Sequence, residues 1–398
     1  MTSSIRLSLL LLWFSHLFMD FFTGIWPIYK TIAQIDLVQA GILASAAGFM
    51  GEILQVFFGY FCDRGYRKRI LIPGLILSTS ILLITVSGGS FTAFLFLLLL
   101  MIGSGSFHPA ALGITGSLSK VRKGRVILFF ASGGAIGLAI SQLVFAHIFE
   151  AFHGQAFILA VPVTLLLGVL AFHRFPPQAA IPSGTSFKNF FTPLLEARKP
   201  LLFLYFAQVA NLALFAAFVF LLPDLLKVRE CHSWLCMGGG HLCFILGSAF
   251  TMVPAGFLCD RYGQKSVLII VLAFAITLFY AFLLLPELSF GWTLALLSTL
   301  GAFLGIINPI IVSWGHRLVP QNPSTVSALL MGFAWCIAHL ISSGASFLTQ
   351  VFPENPISLA ISTMGLLMVI CLLIIVFAPQ MQKEKEPAAE ITDIPSPQ

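Results

Sequence analysis

Charge is what this sequence has least of. Lys, Arg, Asp and Glu make up 9% of its 398 residues, against about 25% in a soluble domain, so a fully water-facing surface is excluded. No G-x-x-x-x-G-K-[ST] loop occurs, which removes ATP as a direct energy source. The clustered aspartates that hold a metal-diphosphate in membrane-embedded transferases are missing, and no connection between apolar runs is long enough to carry a catalytic domain. Neither an enzyme nor a cofactor is expected. Five of the seven cysteines (Cys62, Cys243, Cys259, Cys336, Cys371) lie in or at the end of apolar runs, where Cys behaves as a small hydrophobe. Cys231 and Cys236 share one loop and would form a disulfide only in an oxidising compartment. His232 and His241 flank them without the spacing of a known metal site, so no metal centre is expected.

What the chain has instead is hydrocarbon: 58% apolar residues, 13% aromatic and 40 phenylalanines. A bilayer core takes about 20 consecutive apolar residues per helix, because lipid offers no partner to an open N–H or C=O. Such runs fall near 7–28, 38–61, 70–88, 92–116, 126–148, 155–174, 200–226, 237–259, 266–286, 291–314, 324–350 and 356–378. The first is long, carries Asp20 and lacks a small-residue cleavage site, so it reads as a retained helix rather than a signal peptide. The expectation is an all-α, polytopic membrane protein of twelve transmembrane helices.

Lys and Arg resist crossing the membrane. With the N-terminus in the cytoplasm, the even-numbered connections and the two ends hold 18 of the 21 basic residues; only Lys30, Lys227 and Arg229 fall outside. Both termini are therefore expected in the cytoplasm and the chain in the cell (inner) membrane. The net charge of +6 reflects this bias and the anionic inner leaflet, and no nucleic-acid partner is implied.

The polar stretch around Pro176, Pro177, Pro182, Ser183 and Gly184 splits the runs six and six. Three anchors recur across it. Gly59-Tyr-Phe-Cys-Asp63-Arg64 returns as Gly256-Phe-Leu-Cys-Asp260-Arg261, Gly105-Ser-Phe-His108-Pro109 as Gly305-Ile-Ile-Asn308-Pro309, and Trp26-Pro27 as Leu222-Pro223, at offsets of 197, 200 and 196 residues. A duplicated unit follows: an N-terminal six-helix bundle over 1–174, a cytoplasmic linker over 175–199, a C-terminal bundle over 200–378 and a disordered tail over 379–398. Two such pseudo-symmetric bundles about an axis along the membrane normal are the major facilitator architecture.

Gly59-x-x-x-Asp63-Arg64-Gly65-x-Arg67-Lys68-Arg69 resembles that superfamily's signature loop, and Gly256-x-x-x-Asp260-Arg261 its weaker second copy. The resemblance implies a conformational latch made by Gly59, Asp63, Arg64, Arg67, Arg69, Asp260 and Arg261. Asp63 would meet the positive end of another helix, and the span beginning at Asn322-Pro323 is the expected partner. Within the superfamily the chain is most similar to fosmidomycin-resistance-type exporters. The likeness lies in Ser15-His16-Leu-Phe-Met-Asp20, Gln55-Val-Phe-Phe-Gly59, Gly103-Ser-Gly105-Ser-Phe107-His108-Pro109 and Gly133-Gly134. Ala110 and Glu52 depart from that pattern.

An ionisable group at mid-bilayer is a functional hypothesis by default. His16 and Asp20 stand four apart, hence on one helix face, and with Glu52 are the expected proton-coupling residues. His108, Gln55, Gln142, Gln208, Asn211, Asn308 and His339 are the expected lining of a substrate cavity. Pro109 and Pro309 cannot donate to the preceding turn, so kinks are expected beside His108 and Asn308. These residues point to a monomeric, proton-coupled exporter (antiporter) of a small polar or amphipathic compound or drug, working by alternating access; an importer of a small metabolite would use the same parts. Its partners are protons, the small-molecule substrate and the lipid bilayer.

Overall fold

The structure, a computed structural model, describes residues 3–118, 123–177, 187–320, 322–352 and 354–379. The expected disordered tail, from residue 380 onward, and much of the linker lie outside the described residues. Among the described residues the secondary structure is entirely helical. Ten helices are long and apolar enough to cross a membrane. One of them, Leu37–Val86, has 50 residues, which as a straight rod would reach about 75 Å, more than twice the hydrocarbon thickness. It turns back at Gly65, whose φ of 98° only glycine adopts without strain. Gly51 and Gly74 consequently reach the same level of the helix Ser90–Ser117, against Met101 and Gly103 respectively. That fold-back and the shorter apolar helix Phe157–Phe172 bring the passes to twelve, numbered here as spans 1 to 12 in chain order.

The buried apolar side chains form two clusters. One draws on residues between Leu9 and Leu170; the other on residues between Leu201 and Ala378, with Ala139 added from span 5. Large apolar side chains such as Phe57, Phe91, Leu165, Phe250 and Trp292 stay exposed on the outside, as a lipid-facing belt requires. The second copy of the signature loop also turns at a positive-φ glycine, Gly263, one residue further along and in a different conformation, φ 82° and ψ 148° against φ 98° and ψ 4° at Gly65.

Several sequence expectations shift. Span 10 breaks between Phe290–Leu304 and Ile307–Leu318, where the Pro309 ring excludes the carbonyl of Gly305. Span 4 instead continues through Pro109 as one helix over Ser90–Ser117, without the break seen in span 10. The linker contains a helix, Phe187–Glu196. Cys231 and Cys236 are free thiols, and the Cys236 thiol points at the Cys231 carbonyl 3.4 Å away. His241 is a structural strut: its Nε2 donates to the Leu138 carbonyl at 2.8 Å, tying span 8 to span 5.

Spans 1 and 7 meet at one end of the molecule through a pair of which the sequence alone marks only Lys30, as one of three basic residues in outer connections. Lys30, fully buried, donates to the carboxylate of Asp224. The Thr31 hydroxyl donates to the other carboxylate oxygen at 3.0 Å, and the ammonium sits 4.5 Å from the centre of the Phe220 ring. Taking the carboxylate away strands a buried cation. Asp224→Ala is therefore expected to cost about 3–5 kcal/mol, and the double replacement Lys30→Met with Asp224→Leu to recover most of it. Thermal unfolding in detergent reads both; identical melting of wild type and Asp224→Ala would show the pair to be idle.

Candidate functional site

Between the bundles lies a cavity of about 1300 Å³, lined from spans 1, 2, 4 and 5 on one side and 7, 8, 10 and 11 on the other. Trp26, Pro27 and Phe220 line it near the Lys30–Asp224 pair, and at its other end it reaches Arg317 and Pro320. The second bundle contributes mainly apolar and aromatic wall, including Phe215, Phe220, Met252 and Trp335. The ionisable groups at mid-depth come largely from the first.

Asp20 is the centre of that group. Its Oδ2 lies 3.3 Å from His16 Nε2, one helical turn away on span 1, and its Oδ1 lies 3.3 Å from His108 Nε2, carried in by span 4. Each imidazole is held by its other nitrogen. His16 Nδ1 donates to the Phe130 carbonyl at 3.0 Å, while its ring stacks on Phe130 with centroids 4.2 Å apart and planes at 13°. His108 Nδ1 donates to the Ser104 carbonyl at 3.0 Å. Because a carbonyl oxygen only accepts, both Nδ1 atoms carry hydrogen and both Nε2 atoms turn toward Asp20. Glu52 joins through Ser104, whose hydroxyl donates to Glu52 Oε1 at 2.8 Å. Gly134 makes room for the group: a Cβ there would collide with both His16 Nε2 and Asp20 Oδ2.

Of the other expected cavity residues, Gln55, Asn308 and His339 lie on the wall. Gln142, Gln208 and Asn211 do not, which corrects their assignment. Gln208 is fully buried and donates to Asn308 from behind. Gln142 is fully buried where span 5 packs on the turn at Gly238, and Asn211 is buried on span 7. Amides satisfy helix-to-helix packing as readily as they line a passage, and sequence spacing does not separate the two. Sequence reasoning missed Ser104 and the Lys30–Asp224 pair. Ser104 was visible one turn before His108, on the same helix face; the pair joins residues too far apart in the chain for any spacing rule.

The signature loop sits at the end opposite Lys30. Asp63 Oδ1 accepts from Arg67 at 3.2 Å, and Oδ2 accepts from the Thr325 hydroxyl at 3.2 Å. Thr325 stands in the first turn of span 11, which begins at Pro323. Arg64 stacks on Tyr60 at 4.3 Å, Arg69 lies 5.7 Å from the Tyr66 ring and Arg261 lies 5.2 Å from the Tyr262 ring. Gly59 is buried on span 2, and the side chain of Asp260 lies outside the described residues.

Compared with known proteins, residues 8–343 match the family model described as Major Facilitator Superfamily. The chain is similar to the fosmidomycin resistance protein of Escherichia coli (strain K12), 24% identical over 367 residues, covering 87% of this chain and 86% of that one. It is also similar to the uncharacterized MFS-type transporter YfnC of Bacillus subtilis (strain 168), 22% identical over 384 residues, with 91% and 89% covered. Among solved structures, an inward-facing, occupied bacterial homologue of the human lysosomal transporter Spinster superposes with a TM-score of 0.72 at 14% identity, covering 95% of this chain and 97% of that one. The nucleoside transporter NupG gives 0.70 at 15% identity, with 94% and 99% covered. The fucose:proton symporter FucP of E. coli gives 0.66 at 16%, with 95% and 100% covered.

The Asp63 contacts predict a graded response. Thr325→Val removes one hydrogen bond to a charged acceptor and is expected to cost about 1.5–3 kcal/mol, whereas Asp63→Ala also releases Arg67 and is expected to cost more. Denaturant titration in mixed micelles measures both, and equal losses would show that Arg67 contributes nothing through Asp63.

Proposed function

The chain belongs to the Major Facilitator Superfamily, and on that footing we propose that it is a proton-coupled exporter, exchanging a small polar or amphipathic compound, drugs included, for protons by alternating access. In this reading the basic loops and both termini face the cytoplasm, and one chain is the transport unit. The observation that carries it is Asp20 held between two imidazole nitrogens on the cavity wall.

With Asp20 ionised and both Nε2 atoms bare, three acceptors face one another. A proton shared among them relieves that repulsion. Closing the cavity around an uncompensated negative group carries a desolvation cost, which neutralisation removes. A proton, or a cationic group on the substrate, meets that requirement, and two species that satisfy it in turn are exchanged rather than carried together. Glu52 extends the group through Ser104, whose hydroxyl donates to Glu52 and lies 3.3 Å from His108 Nδ1, so both carboxylates belong to one polar cluster. Each elementary charge moved across 100 mV contributes about 2.3 kcal/mol, to which the pH gradient adds. The aromatic wall opposite suits the apolar part of an amphipathic compound.

Export is supported by likeness to a protein named for fosmidomycin resistance. Import has its own support, since FucP is by title a fucose:proton symporter and the coupling group would serve either direction. Proteoliposomes carrying an imposed pH gradient and offered phosphonates, cationic drugs and sugars separate them. The expected result is substrate flux opposite to proton flux in wild type, with Asp20→Asn and Glu52→Gln each losing at least tenfold of the gradient-driven component. Full gradient drive in both variants defeats the assignment of the coupling group, and flux in the proton's direction converts the exporter to an importer.

A further inference from the structure

We infer that His16, Asp20 and His108 form a binding site for a divalent first-row transition metal ion of the Zn²⁺ or Co²⁺ type. The inference goes beyond proton exchange and needs only the geometry of the three side chains.

Among the described residues this is the one group of three potential ligands whose donor atoms all lie within 4.8 Å of one another. Each Nε2 lies 3.3 Å from a different oxygen of the Asp20 carboxylate. An ion at the centre of three donor atoms spread over no more than 4.8 Å lies within about 2.8 Å of each, so shifts of under about 1 Å bring all three to metal–ligand bonds of about 2.0–2.2 Å. A proton placed between Asp20 and one histidine would leave the other histidine facing an acceptor. One metal ion satisfies all three lone pairs together.

The surroundings are those of a built site. A metal-bound histidine commonly donates its second ring N–H to a carbonyl, which sets the tautomer and aims the ligand nitrogen. His16 does so to Phe130 and His108 to Ser104. Stacking on Phe130 further restrains the His16 ring. Two imidazoles and one carboxylate suit a first-row transition metal and not Mg²⁺ or Ca²⁺, which take oxygen. Three protein ligands leave at least one coordination position, and all three residues line the cavity, so water or an anionic group of a transported compound takes it. Spacing rules miss the site because its ligands come from two spans.

The test uses the full chain in detergent with Cys231→Ser and Cys236→Ser, which removes the loop thiols beside His232. Equilibrium dialysis with Zn²⁺ is expected to give one ion per chain. His16→Gln, Asp20→Asn and His108→Gln are each expected to weaken binding at least a hundredfold, while His147→Gln, at an exposed histidine outside the cavity, leaves it unchanged. X-ray absorption of the Zn²⁺-loaded, otherwise unaltered protein needs no site variant to fold: it is expected to show a nitrogen and oxygen shell with two imidazole rings. No stoichiometric binding, a sulfur-containing shell, fewer than two imidazoles, or affinity indifferent to all three variants overturns the inference. Failure here leaves proton exchange to be judged by the proteoliposome experiment, because dialysis involves no transport.

Discussion

Among the described residues, three ionisable groups in the span region draw their partners from within the fold, because hydrocarbon offers none. They are built from different chemistry. Lys30 meets a carboxylate from the other bundle, Asp63 meets an arginine of its own bundle and a hydroxyl of the other, and Asp20 meets two imidazoles of its own bundle. Their positions order them along the molecule: one tie at each end and the Asp20 group between.

The two ties differ in what they leave behind when they part. Separation at the Asp63 end breaks the Thr325 contact, while Arg67 stands four residues along on the same side and keeps the carboxylate paired. Separation at the Lys30 end exposes a full ammonium and a full carboxylate, so that end parts at low cost only as water enters to solvate both. The central group has a third character. It lies within one bundle, its members drawn from spans 1, 2 and 4, so its contacts do not cross between the bundles.

Much of this was legible in the sequence, for identifiable reasons. The twelve spans follow from a solvent that tolerates no open backbone, and the six-plus-six division from anchors such as Gly59 and Gly256 that recur in order. Glu52, His16 and Asp20 stood out because ionisable residues are rare in such runs. The amides did not sort themselves: Gln142 and Asn308 look alike in a sequence, yet one is sealed against a helix turn and the other faces the cavity. The Asp20–His108 contact and the Lys30–Asp224 pair were invisible because each joins spans whose adjacency only the folded bundle fixes. Pro109 and Pro309 also look alike in the sequence, yet span 4 absorbs the missing hydrogen bond without a break and span 10 does not.

The duplication also explains why one side of the cavity is ionisable and the other chiefly apolar. Structural anchors survive in both copies: Pro109 and Pro309, and a positive-φ glycine in each signature loop, Gly65 and Gly263. The coupling residues do not. At the repeat offsets His16 corresponds to Leu212, Asp20 to Ala216, Glu52 to Ala249 and His108 to Asn308. Packing demands act on both bundles alike, so the glycines and prolines are kept, whereas two facing carboxylate clusters would repel across a low-dielectric gap. Concentrating charge in one copy leaves the other free to present Phe215, Phe220 and Trp335. A compound seated between them meets unlike walls, one carrying the paired imidazoles and carboxylates and the other chiefly apolar and aromatic.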